Sequence, residues 1–590
     1  MLKKQFRLLL KMLKRPFMEE WRFAVFMFAL GLICILFEPW NSLRLYSLLE
    51  LPGDIYLLTL LLTLFPVKWR RPIIAFVAAL LYLVALIDNL FYVATGSPFS
   101  ASLLRAIINT TSREAGEAIH AFAGWNLLFS QLPIILLLAI AHIYCATHRF
   151  MRRFPFNSHS PVLTAAIALM FCSFVFGSNN KRYLMHRLVL AQSDTELPQS
   201  VMDMSVKTGY YLPIYRCWQS VIELSRHLHA IRMLPQAQQN ILIDTCMFRS
   251  PRILLVIGES LNKSHCGFYG YHLSTTPRLC KRVEQGELIA FSNVISPWNF
   301  TSEALEHLLS LHSYGDKGHW YEYPLFTSVF KQVGYDVAFI SNQYTLQAKK
   351  SEAFIDTQLL NDSLLDSFQF TRRNHHTHSY DEGLLADYDS MASKMTAHSL
   401  MIIHLLGQHV EFSDRVPPER HYFHPSDYNR PDLSPNELAI LADYDNAVLY
   451  GDSVMDMLLS REKSRESIVI FISDHGERVF DYNTQQYGRS NSLNPADVRQ
   501  QYEIPMWIWA SPSFRRHHPE IIRALEHAAN LPFSTDRLSH LLLFLAGIKT
   551  PLYQPKLNPL CIRYSATRPR LIRGLYNYDS LKSRHMDTRP

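Results

Sequence analysis

The sequence predicts two parts of different class: a bundle of about five membrane-spanning helices, then an α/β domain with a mostly parallel sheet. Three observations predict it. Five long apolar runs fall within the first 180 of 590 residues. Beyond residue 250, buried-type strands alternate with helical patterns. Two of those strands, 252–258 and 467–473, run into Gly258-Glu259-Ser260 and Asp474-His475-Gly476-Glu477.

The apolar runs cover residues 23–37, 55–67, 73–93, 127–145 and 162–177. Each approaches the roughly 20 residues that a spanning helix needs. The basic residues Lys3, Lys4, Arg7, Lys11, Lys14 and Arg15 precede the first run. Lys68, Arg70 and Arg71 lie between runs two and three, and Arg149, Arg152 and Arg153 between runs four and five. The alternate links are poorer in Lys and Arg. The positive-inside rule puts the basic links in the cytoplasm, so everything after about residue 178 lies outside it. The first run has no small-residue cleavage site and is followed by further spans, so no cleavable signal is expected. Asp88 and Asn89 interrupt the third run. Such residues face a cavity or bundle interior, as a lipid-headgroup contact would, or mark the headgroup end of a helix.

Residues 1–178 are thus expected to form the membrane domain, and 179–249 linker helices at the membrane surface. Residues 250–562 form the α/β domain, and 563–590 a basic tail. In the α/β domain, 337–340, 400–404 and 506–509 are further expected strands, with helices over 302–311 and 443–459. Alternation of this kind gives helices on both faces of a mostly parallel sheet.

The net charge is +7, with the basic residues scattered, and nucleic acid is not expected as a partner. Of eight cysteines, Cys34, Cys145 and Cys172 fall in apolar runs as packing residues. An exported domain has room for one or two disulfides among Cys217, Cys246, Cys266, Cys280 and Cys561. No P-loop, GxGxxG or GxSxG motif occurs, which removes support for ATP or serine-hydrolase chemistry.

The chemistry sits at strand ends. Glu259, Asp474 and His475 carry the donor types of a zinc site and are delivered to one edge of the sheet. His375, His376 and His378 lie among polar residues and are expected in a solvated loop. Thr301 precedes the apolar pattern Leu305, Leu308, Leu309, so it falls at a helix N-terminus. There the backbone N–H groups favour an anionic phosphoryl group, and a threonine also serves as a plain N-cap. Ser302 could fill either role.

Val256-Ile257-Gly258-Glu259-Ser260, Tyr269-Gly270-Tyr271, Thr275-Thr276-Pro277 and Ser473-Asp474-His475-Gly476-Glu477 together resemble the alkaline-phosphatase/sulfatase superfamily. More narrowly they resemble the membrane-bound phosphoethanolamine transferases of Gram-negative lipopolysaccharide. His404-Leu405-Leu406-Gly407-Gln408-His409, Asp443-Tyr444-Asp445-Asn446-Ala447 and Gly488-Arg489-Ser490-Asn491 extend the likeness, which is greatest to the heptose-core-modifying branch. The resemblance implies Zn²⁺ bound by Glu259, Thr301, Asp474 and His475, with Thr301 also the nucleophile. It implies that His409, Arg489 and Asn491 bind the substrate. The loop after Gly476 carries Arg489 where the family often has a histidine, which leaves a second zinc open. The resemblance further implies phosphatidylethanolamine as donor, lipopolysaccharide as acceptor (core heptose phosphate or lipid A) and a bacterial inner-membrane location with the catalytic domain in the periplasm. Resistance to cationic antimicrobial peptides would follow. The sulfatase signature is absent near Thr301, so a formylglycine sulfatase is not expected. Phosphoglycerol transfer, headgroup hydrolysis and a non-catalytic envelope scaffold are the alternatives.

Overall fold

The computed structural model describes residues 2–36, 42–95, 99, 104, 129–148, 163, 165–173, 175, 212–239, 241–343, 358–483, 487–489 and 492–583. The chain divides into two compact units. One comprises Met1–Ile107 and Ser112–Arg226, the other Ile108–Thr111 and His227–Pro590.

The first unit is helical. Helix α1 (Leu2–Leu36) is interrupted at Glu20, which leaves the helical region at φ −131° and ψ 31°. It is followed by α2 (Ser42–Thr63), α3 (Val67–Thr95) and α4 (Leu132–Thr147). Among the described residues one helical stretch, Val67–Val93, is long and apolar enough to cross a membrane. The expected second span is displaced: its helix starts at Ser42 and stops at Thr63, short of Pro66. Of the fifth, residues 165–173 are helical, and much of the remainder lies outside the described residues. Cys172, expected to pack, is exposed. Asp88 and Asn89 are buried inside α3. Asp88 accepts bonds from Arg216 Nε at 2.8 Å and Nη2 at 2.5 Å, and from the Phe99 N–H at 3.0 Å. Its charge is therefore met within the protein.

Arg216 lies on α5 (Pro213–Gln239), a single 27-residue helix where surface linker helices are expected. Residues 179–211 of that expected linker lie outside the described residues.

The second unit is built on a seven-stranded sheet. Its strands are β1 (Arg252–Gly258), β2 (Leu288–Phe291), β3 (Asp336–Ser341), β4 (Arg372–Arg373), β5 (Ser399–His404), β6 (Ser467–Ser473) and β7 (Met506–Ala510). The spatial order is β2-β7-β6-β1-β5-β3-β4. Strands β6, β1, β5, β3 and β4 run parallel, while β7 is antiparallel to β6 and β2 antiparallel to β7. The sheet is therefore mixed. The strands expected at 252–258, 337–340, 400–404, 467–473 and 506–509 all form, and the two-sided burial of β1 explains their unbroken apolar runs. Ile253, Leu255 and Ile257 enter one core, while Leu254 and Val256 enter the other.

Helix α6 (Thr301–Leu309) packs in the first of these layers through Leu305, Leu308 and Leu309. Helix α7 (Pro435–Glu462) contributes Val454, Met455, Leu458 and Leu459 to the second. The latter starts with a capping box, Ser434 with Glu437, and Pro435 at its first position. At its other end Glu462 is fully buried, accepting from Arg252 Nε at 2.9 and 3.1 Å.

Two expectations are corrected here. The one or two disulfides for which an exported domain has room do not form among the described residues. The basic segment from Arg563 is not a tail through most of its length. Leu571–Ile572 and Tyr576–Asn577 form a hairpin, followed by a helix over Tyr578–Ser583. Ile572 and Tyr578 pack against Ile295, Val498 and Tyr502. The sparse periodicity misled because two apolar anchors suffice when they insert into an existing core.

The Arg252–Glu462 pair joins the start of the central strand to the end of the longest helix in this unit. Glu462→Ala would strand a buried guanidinium and is expected to cost about 3–5 kcal/mol. A thermal midpoint that does not fall in the detergent-solubilised variant would contradict this.

Candidate active site

The register of the sheet creates the site. Gly258 pairs with Ser473 across β1 and β6, and Ile257 pairs with His404 across β1 and β5. The next residues, Glu259 and Asp474, therefore leave adjacent strands side by side. The Asp474 N–H donates to Gly258 O at 2.9 Å and keeps the pairing going one step past the strands. Ser260 then turns at φ +57°, a conformation that few side chains adopt without support. Its N–H donates to Asp474 Oδ1 at 3.1 Å and its Oγ to Glu259 Oε1 at 2.7 Å.

Glu259, Asp474 and His475 are all fully buried, and one ligand atom from each lies within 4.8 Å of the others. His475 Nδ1 is 2.9 Å from Gly476 O. A carbonyl only accepts, so Nδ1 carries the proton and the Nε2 lone pair faces the carboxylates. Nε2 lies 3.5 Å from Glu259 Oε1 and 3.3 Å from Asp474 Oδ2. Asp474 Oδ2 is buried with no hydrogen-bond donor.

The charges conflict. Burial disfavours ionisation of both carboxyls. His475, His409 and Arg489 together outweigh burial at Glu259 and hold it well below the usual carboxylate range. Burial, reinforced by the Glu259 charge, pushes Asp474 well above that range. Burial also lowers His475 to about 4, so it is a neutral ligand at pH 7. Two carboxylates, a neutral imidazole with its lone pair turned inward and an oxygen lacking a donor form a donor set that fits zinc.

Thr301 completes the group. Its Oγ1 lies 3.1 Å from Glu259 Oε2, 3.4 Å from Oε1 and 3.3 Å from His475 Nε2. Thr301 is not the N-cap of α6. That position belongs to Phe300, whose side chain caps nothing. The threonine hydroxyl is thus turned to the trio rather than to its own helix. The preceding loop is anchored by Asn299, fully buried, which donates to Gln501 Oε1 at 2.9 Å and accepts from Tyr502 OH at 3.0 Å.

Arg489 is brought to the site as well. Its Nη1 lies 3.2 Å from His475 Nε2 and its Nε 3.7 Å from Glu477 Oε2. Glu477 is buried, which raises its carboxyl to about 7 against the pull of Arg489. His409, half-buried, acts electrostatically on both Glu259 and His475. Asn491 lies outside the described residues.

Several supporting residues escaped the sequence reading. Gln343 donates to Glu259 Oε2 at 3.2 Å. The buried carboxylate of Asp381 accepts from the N–H groups of Leu406 and Gly407 at 2.9 and 2.8 Å, holding the loop that carries His409. Gly407 has φ +51°, and a Cβ there would lie 2.8 Å from Glu259 O. At Gly476 a Cβ would lie 2.1 Å from Gln500 O. The two glycines gave a usable signal, since each falls just past a strand end where backbones approach closely. Asp381 and Gln343 gave none, being far from Glu259 in sequence. A further cluster braces the loop after Glu477. His265 Nδ1 lies 2.6 Å from Asp445 Oδ1 and its Nε2 3.3 Å from Asp481 Oδ2, with Tyr271 and Tyr428 donating to Asp445.

With this geometry in view, comparison places the chain. A model of the sulfatase family matches residues 251–548, about half of the chain, and the chain belongs to that family. Within it, the chain is similar to phosphoethanolamine transferases. It is 26% identical over 530 residues to phosphoethanolamine transferase EptC of Escherichia coli (strain K12), with 88% of each chain covered. It is 27% identical over 528 residues to phosphoethanolamine transferase CptA of Salmonella typhimurium, with 87% of each covered. Its fold is shared with the integral membrane protein lipooligosaccharide phosphoethanolamine transferase A from Neisseria meningitidis, at TM-score 0.58 and 16% identity over 91% of this chain and 98% of that one.

Two tests follow from the packing. Gly476→Ala should displace the Gln500 backbone, destabilise the protein by about 1–3 kcal/mol and disturb His475 next to it; an unchanged thermal midpoint would contradict the contact. His265 has an ordinary value of 6.5. Burial alone would lower it, but Asp481 and Asp445 outweigh burial and raise it to about 10. The folded state then keeps a proton that the unfolded chain loses. Its stabilisation is full below pH 6.5 and disappears as pH rises through about 10. Across that window the thermal midpoint of the wild type should fall more than that of His265→Gln, and parallel curves would refute the assignment.

Proposed function

We propose that this protein is a membrane-embedded phosphoethanolamine transferase acting on lipopolysaccharide, with Thr301 as nucleophile. The observation that carries the reading is the Thr301 hydroxyl, within hydrogen-bond reach of Glu259 and His475 at a helix N-terminus. Its relatives in Escherichia coli and Salmonella bear the name of this activity, and the Neisseria protein is named for lipooligosaccharide. The proposed location is the bacterial inner membrane, with the catalytic domain in the periplasm.

Glu259, Asp474, His475 and Thr301 would hold a zinc ion, which when bound supplies Lewis-acid chemistry by easing ionisation of the threonine hydroxyl and polarising a phosphoryl oxygen. The chain's own residues do the rest. Glu259 accepts the hydroxyl proton in a hydrogen bond and so orients Oγ1. The α6 N-terminus, with Phe300 providing no side-chain cap, favours the anionic phosphoryl group. His409, Arg489 and Asn491 bind its oxygens.

The reaction is a two-step transfer. Thr301 Oγ bonds to the phosphorus of phosphatidylethanolamine as the bond to the diacylglycerol oxygen breaks. Diacylglycerol leaves with the proton that threonine gives up. A phosphate or hydroxyl oxygen of lipopolysaccharide then bonds to phosphorus, the bond to Thr301 breaks and threonine regains a proton. The product gains an amine, which weakens its attraction for cationic peptides and leads to resistance.

Mass spectrometry of lipopolysaccharide from cells with and without the protein tests this. The expected result is added phosphoethanolamine, reduced at least about 1,000-fold by Thr301→Ala. Full transfer by Thr301→Ala would move the nucleophile elsewhere. Release of the headgroup to water alone would make the protein a hydrolase, and transfer from a glycerol-headgroup donor a phosphoglycerol transferase. Glu259→Ala with unaltered zinc content at this site would sink the metal assignment.

A further inference from the structure

Of the histidines after β4, His375 and His376 are exposed, as their polar surroundings suggest, and His378 is half-buried. His376 and His378 converge with Asp387, so that one ligand atom from each lies within 4.8 Å of the others. His378 Nε2 is 2.9 Å from Asp387 Oδ2, and His376 Nε2 is 3.9 Å from Asp387 Oδ1. The two histidines are two residues apart in a non-helical segment, the spacing that puts side chains on one side of an extended chain. Their rings lie 4.9 Å apart, centre to centre. Asp387 comes from the first turn of the following helix, Leu384–Ala392.

The cluster is held rather than loose. Asn374 Nδ2 donates to Asp387 Oδ2 at 3.3 Å, fixing the carboxylate from behind. The His378 ring covers Gly383, where a Cβ would lie 2.4 Å from its Cγ. The His378 N–H donates to Asn342 Oδ1 at 2.6 Å, and Asn342 donates in turn to Asp381. His376 stays 67% exposed, so the site is open to solvent on one side.

We infer that His376, His378 and Asp387 form a second divalent-metal site, distinct from the Glu259–Asp474–His475 group. Two imidazoles and one carboxylate suit a cation of borderline softness such as Zn²⁺, with solvent completing the shell on the His376 side. The site braces the segment that ends at Asp381, and Asp381 grips the loop that carries His409. The three ligand atoms already lie within 4.8 Å of one another, so the site is largely formed beforehand.

The test is zinc titration of the chelator-stripped, detergent-solubilised full chain at pH 7.5, with metal counted after dialysis. Wild type should hold one zinc more than His378→Ala and one more than Asp387→Asn. The equivalent lost in these variants should persist in Glu259→Ala, which keeps the two sites distinguishable. Cobalt(II) substitution of Glu259→Ala should give a visible ligand-field spectrum that His376→Ala abolishes. Equal zinc content in wild type, His378→Ala and Asp387→Asn overturns the proposal. So does binding seen only at millimolar zinc, or a cobalt spectrum indifferent to His376.

Discussion

Two carboxylates leave adjacent parallel strands in register, and the rest of the site depends on that. Gly258 opposite Ser473 forces Glu259 and Asp474 to emerge together, both fully buried. Like charges so placed cannot both persist without a cation, because burial removes the solvent that would screen them. The surrounding residues answer this in part: Arg489, His409 and the Ser260 hydroxyl favour the charge on Glu259. Asp474 is left with an oxygen that no donor reaches. The site is built around an electrostatic demand that its own side chains leave unmet, and this gives a metal-binding donor set its meaning.

The supporting structure exists to keep that arrangement close. Three loops approach Glu259 from the ends of β1, β5 and β6. Gly407 lets one backbone lie against another, and Gly476 does the same against Gln500. Asp381 and Asn299 hold the loops from outside, Asp381 by accepting from backbone N–H groups and Asn299 by bonding to the Gln501 amide and the Tyr502 hydroxyl. The α6 helix is set so that its first residue, not its cap, faces the trio. A threonine one position earlier would have spent its hydroxyl on the helix.

Much of this was legible in the sequence. The apolar runs ending in Gly-Glu-Ser and Asp-His-Gly named the central strands and three of the converging residues, because a strand buried on both faces leaves a continuous signature and its end is where polar residues return. Thr301 was locally ambiguous between cap and nucleophile, since both place a hydroxyl at a helix start. The antiparallel edge, β2 with β7, was not read as a pair, as strand direction leaves no trace in composition. The segment after Arg563 looked like a tail because apolar anchors such as Ile572 in the hairpin and Tyr578 in the helix after it are too few to show a period. The exposure of His376 was legible in its polar surroundings, but its meeting with His378 and Asp387 was not, because Asp387 lies on the next helix and not beside them.

The sequence by itself determined the alternation of elements, the family likeness and the identity of Glu259, Asp474, His475 and Thr301 as the residues to watch. Periodicity and strand-end chemistry are local, and one chain segment is enough to display them. Tertiary structure alone decided that these four meet, that Thr301 Oγ1 turns away from its helix, that Asp474 is left without a donor and that Asp381 clamps the His409 loop. Those outcomes follow from strand register and from contacts between residues 25 or more positions apart. No local pattern of residues carries that information.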